Sequence, residues 1–272
     1  MVLQLTGPDT ASFLQGLASQ DLAPGSSKRS YFLTEKGRPL ALAWVHVVED
    51  GASAWVVADD GAKETLLPHF ERFRVMEDVD FQDVSGKCTV LGVASGSGAH
   101  GVAPDRAGVI RILAEPLSVL LVPSSEDCTF PTVDPAVFEP WRLAVGLART
   151  GVDFDVSRIA TELADPGAVS LTKGCYVGQE VVARTSNRGQ VRRRLVGLRF
   201  DGATPLPPQA AIKSSDAVVG HVTSSAIVPG TTQGVGLAYV SSEALSLGSD
   251  LVTLQGDTTI ALRIAPEAHL PS

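Results

Sequence analysis

The chain has 272 residues, of which 44% are hydrophobic and 19% are charged, and its formal net charge is −8. This composition excludes a highly charged disordered protein, and a chain of this length can bury a hydrophobic core without disulfides or a structural metal. The acidic balance argues against a protein that binds nucleic acid over its whole surface.

Runs of apolar residues predict strands through the first half of the chain, and the tight turns between them favour antiparallel pairing. These strands are predicted at residues 2–6, 31–34, 40–48, 54–58, 79–84, 89–93, 109–113 and 118–122. Helical spacing of apolar residues predicts helices between and after the strands. The helices are predicted after the turn at residues 7–9 and at residues 62–73, 134–147 and 178–183.

The texture of the sequence changes after residue 189, where short strand-like runs are separated by Gly, Pro and Ser. The runs lie at residues 191–200, 218–228, 235–240, 250–254 and 258–264. Several short strands at this spacing predict a small barrel or sandwich. We therefore expect a domain boundary near residue 195.

Two familiar kinds of site are poorly supported. The glycine-rich run at residues 96–101 matches a dinucleotide-binding pattern, but Pro104 and Gly108 interrupt the helix that such a site needs, so we expect a loop. The five histidines lack the spacing of zinc ligands, so we expect no bound metal.

Residues that could react or bind a ligand are concentrated between positions 173 and 184, which read KGCYVGQEVVAR. Cys175 is expected just before a helix start and beside Lys173, and both neighbours favour a thiolate. Glycines in the run let the backbone approach a ligand closely. Gln179 and Glu180 can offer an amide and a carboxylate to a polar heterocycle. These residues alone leave two interpretations open: a small buried structural cysteine, or a reactive or ligand-contacting one.

Positive charge is concentrated in the same region. Residues 173–199 hold seven basic side chains and one acidic one, a charge of +6 in a chain whose remainder carries −14. Arginine binds carboxylates and phosphates well, so the cluster can form an anion-binding wall. A solvated strand face is the alternative. In a strand, Arg192 and Arg194 would share one face and Arg193 the other, so only part of the cluster can address one ligand.

Residues 173–184 resemble the signature KGCYxGQExxxR of the YgfZ family, which is related to the glycine-cleavage T-protein, a tetrahydrofolate-dependent aminomethyltransferase. Other stretches resemble the same family in the same order along the chain. They lie at residues 5–9, 13–16, 20–21, 37–38, 141–146, 220–224 and 236–240. The resemblance therefore covers nearly the whole chain. We refer to residues 173–184 below as the signature segment.

The resemblance implies an α+β fold, in which a T-protein-like folate-binding domain of antiparallel sheets and helices (residues 1–194) precedes a small C-terminal β-barrel (residues 195–272). It implies tetrahydrofolate as the cofactor and a role in the assembly or repair of iron–sulfur clusters. Cys175 is then the functional thiol and is expected in the folate pocket. The expected folate-binding residues are Lys173, Gly174, Tyr176, Gly178, Gln179, Glu180 and Arg184.

Two departures from the T-protein bear on activity. That enzyme carries a catalytic Asp after its first hairpin glycine, whereas this chain reads Gly37-Arg38-Pro39 and continues without a carboxylate. The Glu with which the T-protein recognises the pterin is replaced here by Ala144. A polar group left unmatched costs roughly 1–3 kcal/mol, so both losses argue against aminomethyl transfer. Whether the protein is an enzyme of another kind stays open.

We therefore expect a monomeric, tetrahydrofolate-binding accessory protein that acts with iron–sulfur assembly proteins or client enzymes and binds neither nucleic acid nor a membrane. The N-terminus lacks the pattern of a secretory signal. Three cysteines, Cys88, Cys128 and Cys175, do not form a disulfide framework, so we expect a cytoplasmic location. The alternatives are a folate-dependent aminomethyltransferase or demethylase, and a non-catalytic module whose basic strand binds an acidic protein or RNA.

Overall fold

In the computed structural model of the protein, residues 1–94, 109–114, 117–124, 133–163, 165, 167–187 and 191–265 are described. The glycine-rich run at residues 96–101, Cys128 and Arg188 lie outside the described residues. The chain divides into two compact units. The first comprises Met1–Phe130, Asp155–Ala160 and Asp165–Ala183, and the second comprises Pro131–Phe154, Thr161–Ala164 and Arg184–Ser272.

The first unit is built on a five-stranded antiparallel sheet in the order β2-β3-β4-β1-β5. Its strands are β1 (Val2–Thr6), β2 (Ser27–Leu33), β3 (Pro39–Val47), β4 (Ser53–Ala58) and β5 (Asp80–Asp83). Helices α1 (Thr10–Leu17) and α2 (Lys63–Phe73) supply apolar side chains to the core on one side of the sheet, with Leu14, Leu66 and Phe70 fully buried.

A smaller antiparallel sheet follows in the same unit, in the order β6-β8-β7. Its strands are β6 (Cys88–Ala94), β7 (Ile110–Ile112) and β8 (Leu117–Pro123). Ile112, Val119 and Leu121 pack with side chains of the five-stranded sheet in a second core. The two sheets are joined further by a hydrogen bond from the indole nitrogen of Trp44 to the carbonyl oxygen of Leu117 (2.6 Å).

The second unit contains a closed antiparallel barrel in the order β10-β11-β12-β9-β14-β13, which β10 and β13 close. Its strands are β9 (Arg193–Asp201), β10 (Ala211–Ser214), β11 (Ala217–Ile227), β12 (Gln233–Ser241), β13 (Leu251–Gln255) and β14 (Thr258–Ile264). Leu198, Ile212, Val222 and Val240 lie in its core. The short helix α5 (Ser242–Ser246) follows β12.

Helix α3 (Pro135–Ala144) belongs to the barrel unit and is tied to it by a buried polar network. The guanidinium of Arg142, 1% exposed, donates to Asp153 (2.8 Å) and to the carbonyl oxygen of Leu147 (2.6 Å). The other carboxylate oxygen of Asp153 accepts hydrogen bonds from Thr223 (2.7 Å) and Ser224, both on β11. Because every member has partners, the network can hold two charges away from water.

These elements confirm the predicted α+β fold with its C-terminal barrel. The helix predicted at 178–183 is longer: α4 runs Gln179–Asn187, and the division between the units falls within it. Strand β10 and helix α5 were not predicted. The single boundary near residue 195 stays a prediction, because the barrel unit also takes in two earlier segments. No helix in the described part of the chain is long and apolar enough to cross a membrane.

Candidate functional site

Lys173, the first residue of the signature segment, is anchored to the end of helix α1. Its ammonium group donates to the carbonyl oxygens of Gln15 (2.9 Å), Ala18 (2.8 Å) and Gln20 (2.9 Å). A lysine ammonium has three hydrogens, so these bonds use all of them. Burial lowers the pKa of Lys173 to about 8, so the group is still charged at pH 7. The charge also suits the negative end of the helix dipole.

Gly178 brings the signature segment against the turn between β2 and β3. Its φ is +84°, and a Cβ atom there would lie 2.5 Å from the carbonyl oxygen of Thr34 and 3.1 Å from the Cα of Gly37. Gly37 itself has a φ of +68°, and a Cβ atom on it would lie 3.0 Å from the Cβ of Val181. Both positions therefore need glycine, for conformation and for space.

Tyr176 lies between these two anchors and is buried, at 7% exposure. The ammonium nitrogen of Lys173 lies 5.2 Å from the centre of its ring, a cation–π contact. Burial raises the pKa of the Tyr176 phenol. Its hydroxyl oxygen is buried and has no hydrogen-bond partner within the described residues. A buried hydroxyl without a partner is costly, which makes this atom a candidate contact for a polar ligand.

Hydrogen bonds from Val177 and Gln179 also hold the signature segment in place. The amide of Val177 donates to the carbonyl oxygen of Gly16 (3.0 Å), and the side-chain amide of Gln179 reaches the carbonyl oxygen of Lys173 (3.4 Å). The segment is thus held to α1 on one side and to the β2–β3 turn on the other. Its shape is set by contacts that the chain itself provides.

Four of the predicted site residues face solvent in this frame: Gly174, Cys175, Glu180 and Arg184. Cys175 is a free, exposed cysteine that lies four residues before the start of α4. The second described cysteine, Cys88, is half-buried, and burial raises the pKa of its thiol. No atom lies within 4 Å of a Cβ built on Gly174, so that glycine leaves open space beside the thiol.

The predicted site residues thus fall into two groups, those that make contacts within the chain and those that are exposed to solvent. Lys173 and Gly178 make contacts within the chain that leave neither free to bind a ligand. Gln179 is half-buried, and its side-chain amide donates to the carbonyl oxygen of Lys173. Cys175, Glu180 and Arg184 are free to meet another molecule. The fit of the segment to tetrahydrofolate rests on the hydroxyl of Tyr176, which is buried and has no hydrogen-bond partner within the described residues. Lys173 has no hydrogen left for such a ligand.

The arginines downstream of the signature segment are exposed on the barrel unit: Arg192, Arg193, Arg194 and Arg199. Strand β9 begins at Arg193, so Arg192 precedes the strand. Arg193 lies 4.0 Å from the carboxylate of Glu162, and its charge is partly matched there. The anion-binding wall and the solvated strand face, the two alternatives for this cluster, both stay predictions.

A cleft that the sequence did not predict lies at the β2–β3 turn, in the first unit. Its volume is about 670 Å³. It is lined by Thr34, Glu35, Lys36, Arg38, Leu40, Thr65, Pro68, His69, Arg72, Phe73 and Val156. No pattern in the sequence could reveal it, because the turn and helix α2 are brought together only by the fold. Within the described residues, no group of three or more His, Cys, Asp and Glu side chains could hold a metal ion.

Comparison with known proteins agrees with this architecture. Residues 193–268 match the family model of the glycine cleavage T-protein C-terminal barrel domain. The whole chain resembles the crystal structure of the glycine cleavage system aminomethyltransferase T from Bartonella henselae, with a TM-score of 0.78 over 98% of this chain and 84% of that one. The sequences are 17% identical, so this likeness shows the fold alone.

Similar sequences come from a second group of proteins. The chain is 28% identical over 81% of its length to an "Iron-sulfur cluster assembly factor IBA57 homolog, mitochondrial" of Mycosarcoma maydis, of which it spans 60%. It is 27% identical over its whole length to a protein of the same name in Pyricularia oryzae, spanning 74% of it. The chain is 26% identical over 90% of its length to the human "Iron-sulfur cluster assembly factor IBA57, mitochondrial", and it spans 76% of the length of that protein.

The names of these relatives correct one expectation. They are mitochondrial proteins, which overturns the cytoplasmic location inferred from the cysteines. Three cysteines without a disulfide framework indicate only a compartment that does not oxidise thiols, so they could not tell one such compartment from another. The chain thus combines the T-protein fold and its C-terminal barrel domain with sequence similarity to iron–sulfur cluster assembly factors.

Proposed function

We propose that the protein is an accessory factor in the assembly or repair of iron–sulfur clusters, that it binds tetrahydrofolate, and that Cys175 is its functional thiol. The observation that carries the proposal is the exposure of Cys175 on a segment fastened at both sides. A cysteine placed for packing alone would be buried, as free cysteines usually are. The relatives named as iron–sulfur cluster assembly factors support the same role.

One thiolate is a soft ligand for iron but supplies only a fraction of the ligands of a cluster, which normally has four. The described residues offer no group of three or more side chains that could hold a metal. We therefore propose that Cys175 acts together with an iron–sulfur assembly protein or a client enzyme that supplies the remaining ligands. The open space beside Gly174 leaves room for such a partner.

For tetrahydrofolate, the proposed contacts come from the side chains that the fold leaves available. The hydroxyl of Tyr176 would donate to or accept from the pterin, and Gln179 and Glu180 would bind its polar edge. Arg184 would bind the carboxylates of the glutamate tail. Lys173, Gly174 and Gly178 would act by shaping the segment, and the likeness to the aminomethyltransferase fold favours such a ligand.

Aminomethyl transfer itself is disfavoured. The T-protein carries its catalytic Asp after the first hairpin glycine, whereas residues 38–42 of this chain contain no carboxylate. Arg38 in that turn is an exposed cation whose guanidinium donates to the carbonyl oxygen of Val156 (2.7 Å). None of these side chains can accept a proton from the folate amine. An aminomethyl donor should therefore yield no methylene-folate product, and release of that product would revive the transferase alternative.

Titration of tetrahydrofolate against the purified protein tests the ligand. The wild type should bind it, and Tyr176→Phe should weaken binding by about threefold to tenfold, the value of one hydrogen bond. Lys28→Gln is the matched control, because Lys28 is exposed on β2, away from the signature segment. Absence of binding by the wild type up to about 1 mM would remove the folate part of the proposal.

A further inference from the structure

A cleft lies at the turn between β2 and β3, the same turn against which Gly178 of the signature segment packs. The cleft there measures about 670 Å³, within the range of roughly 300–1,000 Å³ typical of small-molecule sites. No residue of the signature segment lines it. Hydrogen bonds close the turn: the amide of Thr34 donates to the carbonyl oxygen of Arg38 (2.9 Å), and the amide of Gly37 donates to the carbonyl oxygen of Thr34 (2.8 Å). The amide of Arg38 donates to the hydroxyl oxygen of Thr34 (3.2 Å).

The charged rim of the cleft is predominantly positive. Lys36, Arg38 and Arg72 line it, and Glu35 is the acidic residue among the lining side chains. Arg72 is paired with Glu35 (2.7 Å), which leaves Lys36 and Arg38 without a carboxylate within the described residues. One terminal nitrogen of the Arg38 guanidinium donates to a backbone carbonyl oxygen. The remaining N–H groups of the planar guanidinium can bind a carboxylate or a phosphate.

The wall of the cleft contains a polar atom in need of a partner. His69 is 8% exposed, lines the cleft, and has a buried Nε2 with no hydrogen bond within the described residues. Burial, together with the nearby charge of Arg72, lowers the pKa of His69 to about 4, so the ring is neutral at pH 7. A neutral imidazole nitrogen can donate or accept one hydrogen bond, according to its tautomer.

The remaining lining is apolar. Leu40, Pro68, Phe73 and Val156 contribute carbon surface, and the ring of Phe73 lies 4.9 Å from that of His69. Such a lining excludes water around a ligand and strengthens the polar contacts made beside it. The cleft therefore combines a cationic rim, an apolar lining and one unpartnered polar group in its wall.

We propose that this cleft binds a small organic anion with a flat apolar body, a carboxylate or a phosphate ester. Arg38 and Lys36 hold the anionic group, and Phe73 and its apolar neighbours cover the body. His69 makes the hydrogen bond that its Nε2 lacks. This is a ligand site additional to the proposed folate contacts.

Phenyl phosphate, with inorganic phosphate beside it, tests the proposal on the full chain. Phenyl phosphate should bind with a Kd of about 1 mM or below and shift the imidazole resonances of His69 in NMR spectra. Inorganic phosphate should bind about tenfold more weakly, because it cannot use the apolar lining. Equal affinities for the two, or no shift of the His69 resonances up to about 10 mM, would overturn the proposal.

Two variants locate the binding. Arg38→Gln should weaken phenyl phosphate binding by about tenfold or more, and it should fold normally because Arg38 is exposed. Lys28→Gln removes the same charge from β2, whose residues do not line the cleft, and should change nothing. An equal loss in both variants would mean unspecific attraction. Tyr176→Phe separates the two proposals: it should lower tetrahydrofolate binding and leave phenyl phosphate binding intact. Loss of both would contradict an independent cleft.

Discussion

The ammonium group of Lys173 lies 2.8 Å from the carbonyl oxygen of Ala18, the residue that caps helix α1. Two further carbonyl oxygens, of Gln15 and Gln20, lie 2.9 Å from the same nitrogen. The first residue of the signature segment is therefore an internal anchor. Cys175, two positions further along the chain, is exposed to solvent.

Replacing Lys173 with methionine should destabilise the protein by about 2–4 kcal/mol. The change leaves three backbone carbonyls of a partly buried site without their donor, and hydrogen bonds to a charged group contribute roughly 1.5–3 kcal/mol each without adding fully. Urea unfolding measures the effect. Lys28→Met, on an exposed position of β2, should stay within about 0.5 kcal/mol of the wild type. Equal stabilities of the two variants would mean that the anchor contributes nothing.

The two glycines of the signature segment should respond differently to alanine. Gly178→Ala should cost about 2–4 kcal/mol, because the residue has a φ of +84° and its Cβ would lie 2.5 Å from the carbonyl oxygen of Thr34. Gly174→Ala meets no atom within 4 Å and should change the free energy of unfolding by less than about 0.5 kcal/mol. A Gly174→Ala variant as unstable as Gly178→Ala would refute this assignment.

The buried pair of Arg142 and Asp153 gives a prediction for the barrel unit. Arg142→Met should destabilise that unit by about 3–5 kcal/mol, because it leaves the carboxylate of Asp153 buried and without its cation. The double variant Arg142→Met with Asp153→Leu should cost less than the sum of the two single changes, since the buried carboxylate that loses its cation in Arg142→Met is then absent. Additive costs in denaturant unfolding would show that the two groups are not coupled.

His69 predicts a dependence of stability on pH. Its pKa in the folded protein is about 4, whereas the unfolded chain has an ordinary value of 6.5. As the pH falls from 6.5 towards 4, the unfolded state takes up a proton that the folded state refuses, so stability is lost. The loss should reach about 3 kcal/mol.

His69→Phe should remove this part of the pH dependence. Urea unfolding of both proteins at pH 7 and pH 4.5 isolates it, because the carboxylates common to both proteins cancel in the difference. The destabilisation of the wild type on acidification should exceed that of the variant. Identical pH dependence in the two proteins would show that His69 titrates normally in the fold.

The elements of the fold could be predicted where the apolar pattern was strong. Strand β1 and helix α2 follow from runs of apolar residues at the right spacing, and the separate barrel follows from the change in texture. Strand β10 was not predicted because its four residues, Ala211–Ser214, are too few to show an alternating apolar pattern. The strand is defined by its pairing with β11 and β13 in the closed barrel. Short strands are fixed by tertiary pairing, which a local pattern does not contain.

The site could be predicted only in part, for a related reason. The spacing of the signature segment drew attention to Cys175, whose exposure agrees with a functional thiol. The sequence could not show that Lys173 points at helix α1, some 150 positions earlier in the chain. Nor could it show that His69 lines a cleft with Arg38, because α2 and the β2–β3 turn meet only in the fold.

The central claim is that Cys175 carries the function in iron–sulfur cluster assembly or repair. Its most direct test is the activity of iron–sulfur enzymes in cells that lack their own such factor and express this protein as wild type, as Cys175→Ala or as Cys88→Ala. The account predicts that the wild type and Cys88→Ala restore the activity and that Cys175→Ala does not, although all three accumulate equally. Full restoration by Cys175→Ala would contradict it.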